Sequence, residues 1–172
     1  MNKMWNFIKD WFIEMGSPPL FFKWSSKILP WLTLVTFVIF ILGLTWGLFY
    51  SPTDYKQGDV YRIIYIHVPS AILGQSIFMF MAVCGFITMV WRVKISGMLL
   101  KSAAPIGASF TLLALLTGSI WGKPTWGTWW VWDARLTSTL ILFFIYAAII
   151  GLHSSIDDKS KADRAISILS IV

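Results

Sequence analysis

The stretch Trp121-Gly-Lys-Pro-Thr-Trp126-Gly-Thr-Trp129-Trp130-Val-Trp132-Asp133-Ala-Arg135 holds five of the 11 tryptophans in the chain. Indole is flat and apolar, and its N–H donates one hydrogen bond. Tryptophan also gathers where a membrane meets water, and such a belt accounts for one or two residues per helix end. Five of them beside Gly, Pro and a charged pair fit a platform for a large planar ligand as well as they fit a belt. Asp133 and Arg135 are costly in hydrocarbon. At a membrane edge they either cap and pair locally or meet the anionic groups of a ligand, with Arg135 supplying charge-assisted bonds. Lys123 has the same option and reads first as a solvated cation.

His67 is the second residue with chemistry to offer. At a membrane edge a lone histidine is often only an interfacial polar residue. A neutral imidazole is also a good axial ligand for haem iron. His153, the other histidine, follows the fourth apolar run and falls on the opposite side of the bilayer. About 30 Å of hydrocarbon would separate the two, so they cannot share one iron. His153 reads as an interfacial residue near Asp157 and Asp158. Cys84 is the single cysteine and lies in an apolar run, so it packs and excludes an internal disulfide. There is no glycine-rich nucleotide loop, no converging Ser/His/Asp or Cys/His set, and no acidic residue inside an apolar run. Enzyme chemistry and proton pumping therefore find no support.

Composition fixes what must position these residues. Apolar residues make up 57% of the 172 and charged residues only 13%, against about 25% charged in soluble domains. A chain this short cannot bury so much apolar surface within itself. The expectation is an all-α, polytopic transmembrane helix bundle in a lipid bilayer. Residues 1–27 read as an amphipathic interfacial segment, with Trp5, Ile8, Trp11, Phe12 and Met15 at helical spacing and an end at Ser17-Pro18-Pro19. Residues 28–172 read as one transmembrane domain. Spans are expected at about 28–49, 69–91, 103–121 and 136–152. The apolar run that holds the second span starts at Ile63, too early for a straight helix, and Pro69 marks the expected start. His67 would then precede the span. The fourth span is short and would borrow its first turn from the tryptophan segment. Residues 165–172 would begin a fifth helix that the sequence does not complete, as in a fragment.

Lys and Arg set the expected orientation. Lys3, Lys9, Lys23, Lys27, Arg92, Lys94, Lys101, Lys159, Lys161 and Arg164 fall on one side of these spans. Lys56, Arg62, Lys123 and Arg135 fall on the other. The bias places the N-terminus in the cytoplasm, with His67 and the tryptophan segment together on the outer side. The net charge of +6 is explained by this topology, so no nucleic-acid partner is expected.

Trp121-Gly…Trp126-Gly-Thr-Trp129-Trp130-Val-Trp132-Asp133-Ala-Arg135-Leu136-Thr137 resembles the tryptophan-rich signature of haem-handling membrane proteins. Together with Tyr61-Arg62-Ile-Ile-Tyr-Ile-His67-Val-Pro69 and the spacing of Gly122-Lys123-Pro124, it is most similar to the cytochrome c maturation protein C family, also called haem exporter protein C. The resemblance runs from about residue 20 to the end of the sequence. It implies six helices in the bacterial inner membrane, or the mitochondrial one, and a role in cytochrome c biogenesis. It implies transient, non-covalent b-type haem held at the outer face. The tryptophan segment would supply Trp121, Trp126, Trp129, Trp130, Trp132, Asp133 and Arg135, and His67 would be an axial ligand. The second axial histidine belongs to a loop after the fifth helix, beyond this sequence. The implied partners are a membrane-anchored haem chaperone, which receives the haem, and the ABC-type transporter subunits of the maturation system.

Three other readings compete. A b-type electron carrier needs paired histidines on facing helices. A haem-free scaffold with an interfacial belt would be colourless. Covalent haem attachment goes with more histidines and longer outer domains.

Overall fold

The computed structural model describes residues 16–171. The expected amphipathic helix around Trp5–Met15 lies outside the described residues. Five helices follow. α1 spans Pro18–Thr45 and runs on through a wide π-helical turn, Trp46–Tyr50. A tight 3-10 turn, Asp59–Ile63, leads into α2, Ile64–Trp91. α3 is Lys94–Trp126, α4 is Ala134–Ser155 and α5 is Lys159–Ile171. The first four are long and apolar enough to cross a membrane. The chain is therefore a multi-pass, all-α membrane protein.

Several boundaries differ from those expected, each for a physical reason. Pro18 and Pro19 occupy the first positions of α1, where a missing N–H and a preset φ cost nothing; the helix they were expected to end lies outside the described residues. Residues 18–27 are therefore helical and continuous with the span. Pro69 does not start α2. The helix begins at Ile64, because the 3-10 turn already delivers the chain in helical conformation. Pro69 removes one backbone donor, a loss tolerated in membrane helices where nearby hydroxyls and neighbours compensate. Ser70 Oγ donates to the Ile66 carbonyl at 2.6 Å just beside it. His67 thus stands inside the first turn of α2, not ahead of it.

α3, at 33 residues, measures about 50 Å and overshoots a hydrocarbon core of about 30 Å. Its ends therefore project: Lys94–Lys101 on one side and Trp121–Trp126 on the other. α4 does borrow its first turn from the tryptophan segment, starting at Ala134 with Asp133 as its N-cap.

The core lies among α2, α3, α4 and α5. It contains Met81, Cys84, Leu100, Ala104, Tyr146, Ile149 and Ile166, all buried. Gly107 lets Tyr146 into this core, since a Cβ there would overlap the phenol ring. The Tyr146 hydroxyl then donates to the Gly74 carbonyl at 2.7 Å, tying α4 to α2. Cys84 packs as expected, and its carbonyl accepts from Ser96 Oγ. α1 has no buried residue. It meets the bundle through its last turns, where Arg62 Nη1 and Nη2 donate to the Leu48 and Ser51 carbonyls, each at 3.0 Å.

His153 is also corrected in detail. It sits in the last turn of α4 and is 8% exposed. Its Nε2 lies 3.3 Å from Asp163 on α5, so its partner is Asp163 and not Asp157 or Asp158. It remains at the end of the bundle opposite His67.

Candidate functional site

α2 starts and α3 finishes at the same end of the bundle, and this antiparallel arrangement brings His67 to Trp121. Their rings meet edge to face with centroids 5.7 Å apart. Trp121 in turn meets Tyr61 edge to face at 6.2 Å. Its indole N–H donates to Gln57 Oε1 at 2.6 Å. Gln57 is itself fixed by a turn in which Asp54 Oδ1 accepts from the Lys56 and Gln57 amides. A chain of contacts therefore runs from the loop 51–58 through Trp121 to the imidazole.

The other side of the imidazole is held by α3. Nδ1 lies 3.1 Å from the Ala114 carbonyl and 3.1 Å from Thr117 Oγ1. A carbonyl only accepts, and Thr117 Oγ1 already donates to the Leu113 carbonyl at 2.7 Å. Nδ1 therefore carries the ring proton and donates it to this pair. Nε2 keeps its lone pair, and no hydrogen bond to it is made among the described residues. An imidazole anchored through Nδ1–H with Nε2 open is the arrangement of a metal-ligating histidine with its supporting shell. The approach depends on Gly118, because a Cβ there would stand 3.0 Å from His67 Cε1.

The tryptophans divide into two kinds. Trp121 is turned inward and its N–H is occupied. Trp126, Trp129 and Trp132 are 55%, 56% and 75% exposed. Trp130 is half-buried, and its Nε1 is buried with no partner among the described residues. Trp130 and Trp132 meet at an interplanar angle of 76°, so these two indoles do not share one flat surface. The segment after α3 folds back: the Trp126 ring and the Thr128 carbonyl both pack at Gly122, next to Trp121.

Asp133 and Arg135 do both structural tasks open to them. Asp133 Oδ1 accepts from the Leu136 amide at 2.8 Å, capping α4. Its Oδ2 takes Arg135 Nη2 at 2.9 Å. The Leu136 amide, then Arg135, hold the Asp133 carboxyl below the usual carboxylate range. The Arg135 guanidinium lies over the Trp126 ring, 5.5 Å from its centroid, with its side chain 75% exposed. Lys123 Nζ donates to the Gly127 carbonyl, closing the end of α3.

Sequence reasoning missed Gln57, Ala114, Thr117 and Gly118. Gln57 sits in a polar loop with no spacing that links it to Trp121. Thr117-Gly118 inside an apolar run was the one available hint, since a hydroxyl beside a residue without a side chain marks room for a neighbouring polar group.

Comparison with known proteins bears on the family of the chain. The family model described as Heme exporter protein C matches residues 11–172. The Heme exporter protein C of Escherichia coli (strain K12) is 47% identical over 92% of this chain and 65% of its own length. That of Haemophilus influenzae is 43% identical over 94% of this chain and 65% of its own length, and that of Bradyrhizobium diazoefficiens is 44% identical over 93% and 60%. The chain spans about two-thirds of the length of these relatives or slightly less, at 60–65%. With the match extending over nearly all of its residues, the chain belongs to the heme exporter protein C family.

Proposed function

We propose that this chain handles haem in cytochrome c biogenesis, holding it at the outer face of the bacterial inner membrane and presenting it to a membrane-anchored haem chaperone. The observation that carries the reading is His67, whose Nδ1–H is anchored on α3 and whose Nε2 is open. The name shared by the relatives, Heme exporter protein C, supplies the cargo. ABC-type transporter subunits of the same system are the second class of partner.

The residues around His67 suit a planar, apolar, dianionic cargo such as b-type haem, held without a covalent bond. Exposed Trp126, Trp129 and Trp132 offer apolar faces. Arg135 presents an exposed guanidinium that suits a carboxylate, whereas the Trp130 N–H, without an acceptor among the described residues, is buried. Trp121 orients His67, and its own N–H is already spent on Gln57. Asp133 repels a carboxylate directly, so its part is to fix α4 and Arg135. Haem brings the iron that an imidazole can ligate; the protein is asked only to hold and release.

His153, at the other end of the bundle and beside Asp163, is not the second imidazole that a b-type electron carrier needs next to His67. The test compares haem content per protein in His67→Ala and His153→Ala. His67→Ala should lose most of its haem and His153→Ala should keep it. Equal loss in both variants would sink the assignment.

A further inference from the structure

A cavity of about 600 Å³ opens at the end of the bundle opposite His67, where the C-terminal turn of α2 meets the first turns of α3 and α5. Nothing in the reading above uses it. Arg92, Lys94, Lys159 and Arg164 line it, against a single carboxylate, Asp163. Asp163 is engaged by His153. Among the described residues none of the four cations stands within ion-pair distance of a carboxylate. Lys159 Nζ makes one contact, to the Ile156 carbonyl at 3.3 Å. A solvated basic face would spread its charges, as Lys101 and Lys161 are spread outside this cavity, the latter paired with Asp158. Here four exposed cations line one concavity, and their summed field favours an anion there.

The remaining wall says which kind of anion. Met89 and Met98 line the cavity and are 42% and 52% exposed. They stand beside Phe86 and Val90 on α2, which are exposed and apolar. A site with cations on one wall and an apolar path on the other fits an amphiphile better than a free phosphate. Basic pockets between membrane helices take anionic lipid headgroups on this principle.

We infer that this cavity binds an anionic phospholipid, its phosphate among Lys94, Lys159 and Arg164 and its glycerol end against Met89 and Met98. The site is independent of haem and of His67.

Native mass spectrometry of the full chain in detergent tests this, with added phosphatidylglycerol, matching phosphatidylcholine, or inorganic phosphate. The parent should retain one phosphatidylglycerol and no phosphatidylcholine, and excess inorganic phosphate should not displace it. Lys94→Gln with Lys159→Gln and Arg164→Gln should weaken retention about a hundredfold, at roughly fivefold per cation. Arg92 is left intact because it holds a left-handed backbone position, φ 54°, that closes α2. Lys101→Gln with Lys161→Gln, at the same end but outside the cavity, should behave as the parent. Undiminished retention in the triple variant, equal loss in both sets, or equal binding of phosphatidylcholine would each overturn the proposal. Displacement by inorganic phosphate would overturn its lipid form and leave a soluble-anion site.

Discussion

Thr117 is a positioning residue in this account, since its Oγ1 accepts from His67 Nδ1–H and so keeps Nε2 open. Thr117→Val preserves shape and removes that acceptor, while the Ala114 carbonyl remains. Loss of an outer-shell partner typically costs 10–100-fold in metal affinity, so about tenfold weaker haem retention is expected here. Resonance Raman should also show a shifted iron–histidine stretch, and Thr117→Ser should restore both. A merely structural role would move neither the stretch nor its rescue. Asp133 yields a pH prediction. Its carboxyl pKa is lowered in the folded chain, first by the Leu136 amide and then by Arg135. The cap is therefore fully formed above the unfolded carboxyl pKa and is lost as pH falls through the lower folded value. Hydrogen exchange at the Leu136 amide should accelerate over that acidic window, and Asp133→Asn should abolish the dependence. His67 and Arg135 were legible as residue types because such groups are rare in or beside apolar runs, and the tryptophans because five fall within one short segment. Gln57 and Thr117 were not, because their importance is a matter of which atoms face them.

Helices were legible as apolar runs, and their ends were not. Hydropathy marks where hydrocarbon stops; hydrogen bonding marks where a helix stops. Lys94–Lys101 and Lys123–Trp126 are helical and polar or interfacial, so α3 extends well past its apolar run, 103–121. Pro69 misled for a related reason. It was read as the start of a span, yet it is carried inside α2. Small residues at Ala103, Ala104, Gly107 and Ala108 mark in the sequence where helices approach closely, though the decisive partner, Tyr146, could be found only in three dimensions. Gly107→Ala should destabilise the bundle by about 1–3 kcal/mol through overpacking. Tyr146→Phe should cost only about 0.6 kcal/mol, the average for hydrogen bonds between membrane helices. Reversible unfolding in detergent micelles ranks the two, and an inverse order would show that the hydroxyl, not the close approach, holds α4 in place.

At the scale of the molecule, two ends of one bundle carry different chemistry. His67 and the tryptophan segment share one end; His153, Asp163 and the basic cavity share the other. The excess of Lys and Arg at the second end is the basis on which we propose that it faces the cytoplasm. Thr125→Cys should then react with a membrane-impermeant maleimide from outside intact cells and Ser160→Cys should not, with Cys84 silent because it is 4% exposed. Reversed labelling would move the site to the wrong face. The central claim is that His67 Nε2 ligates haem iron, and ligand replacement tests it most directly. His67→Gly leaves a space the size of the imidazole. Its absorption spectrum, taken on the full chain supplied with haem, should lose the Soret band of the parent and regain it when free imidazole is added. A Soret band unchanged by the substitution, or one lost and not restored by imidazole, would contradict the assignment of His67 as the iron ligand.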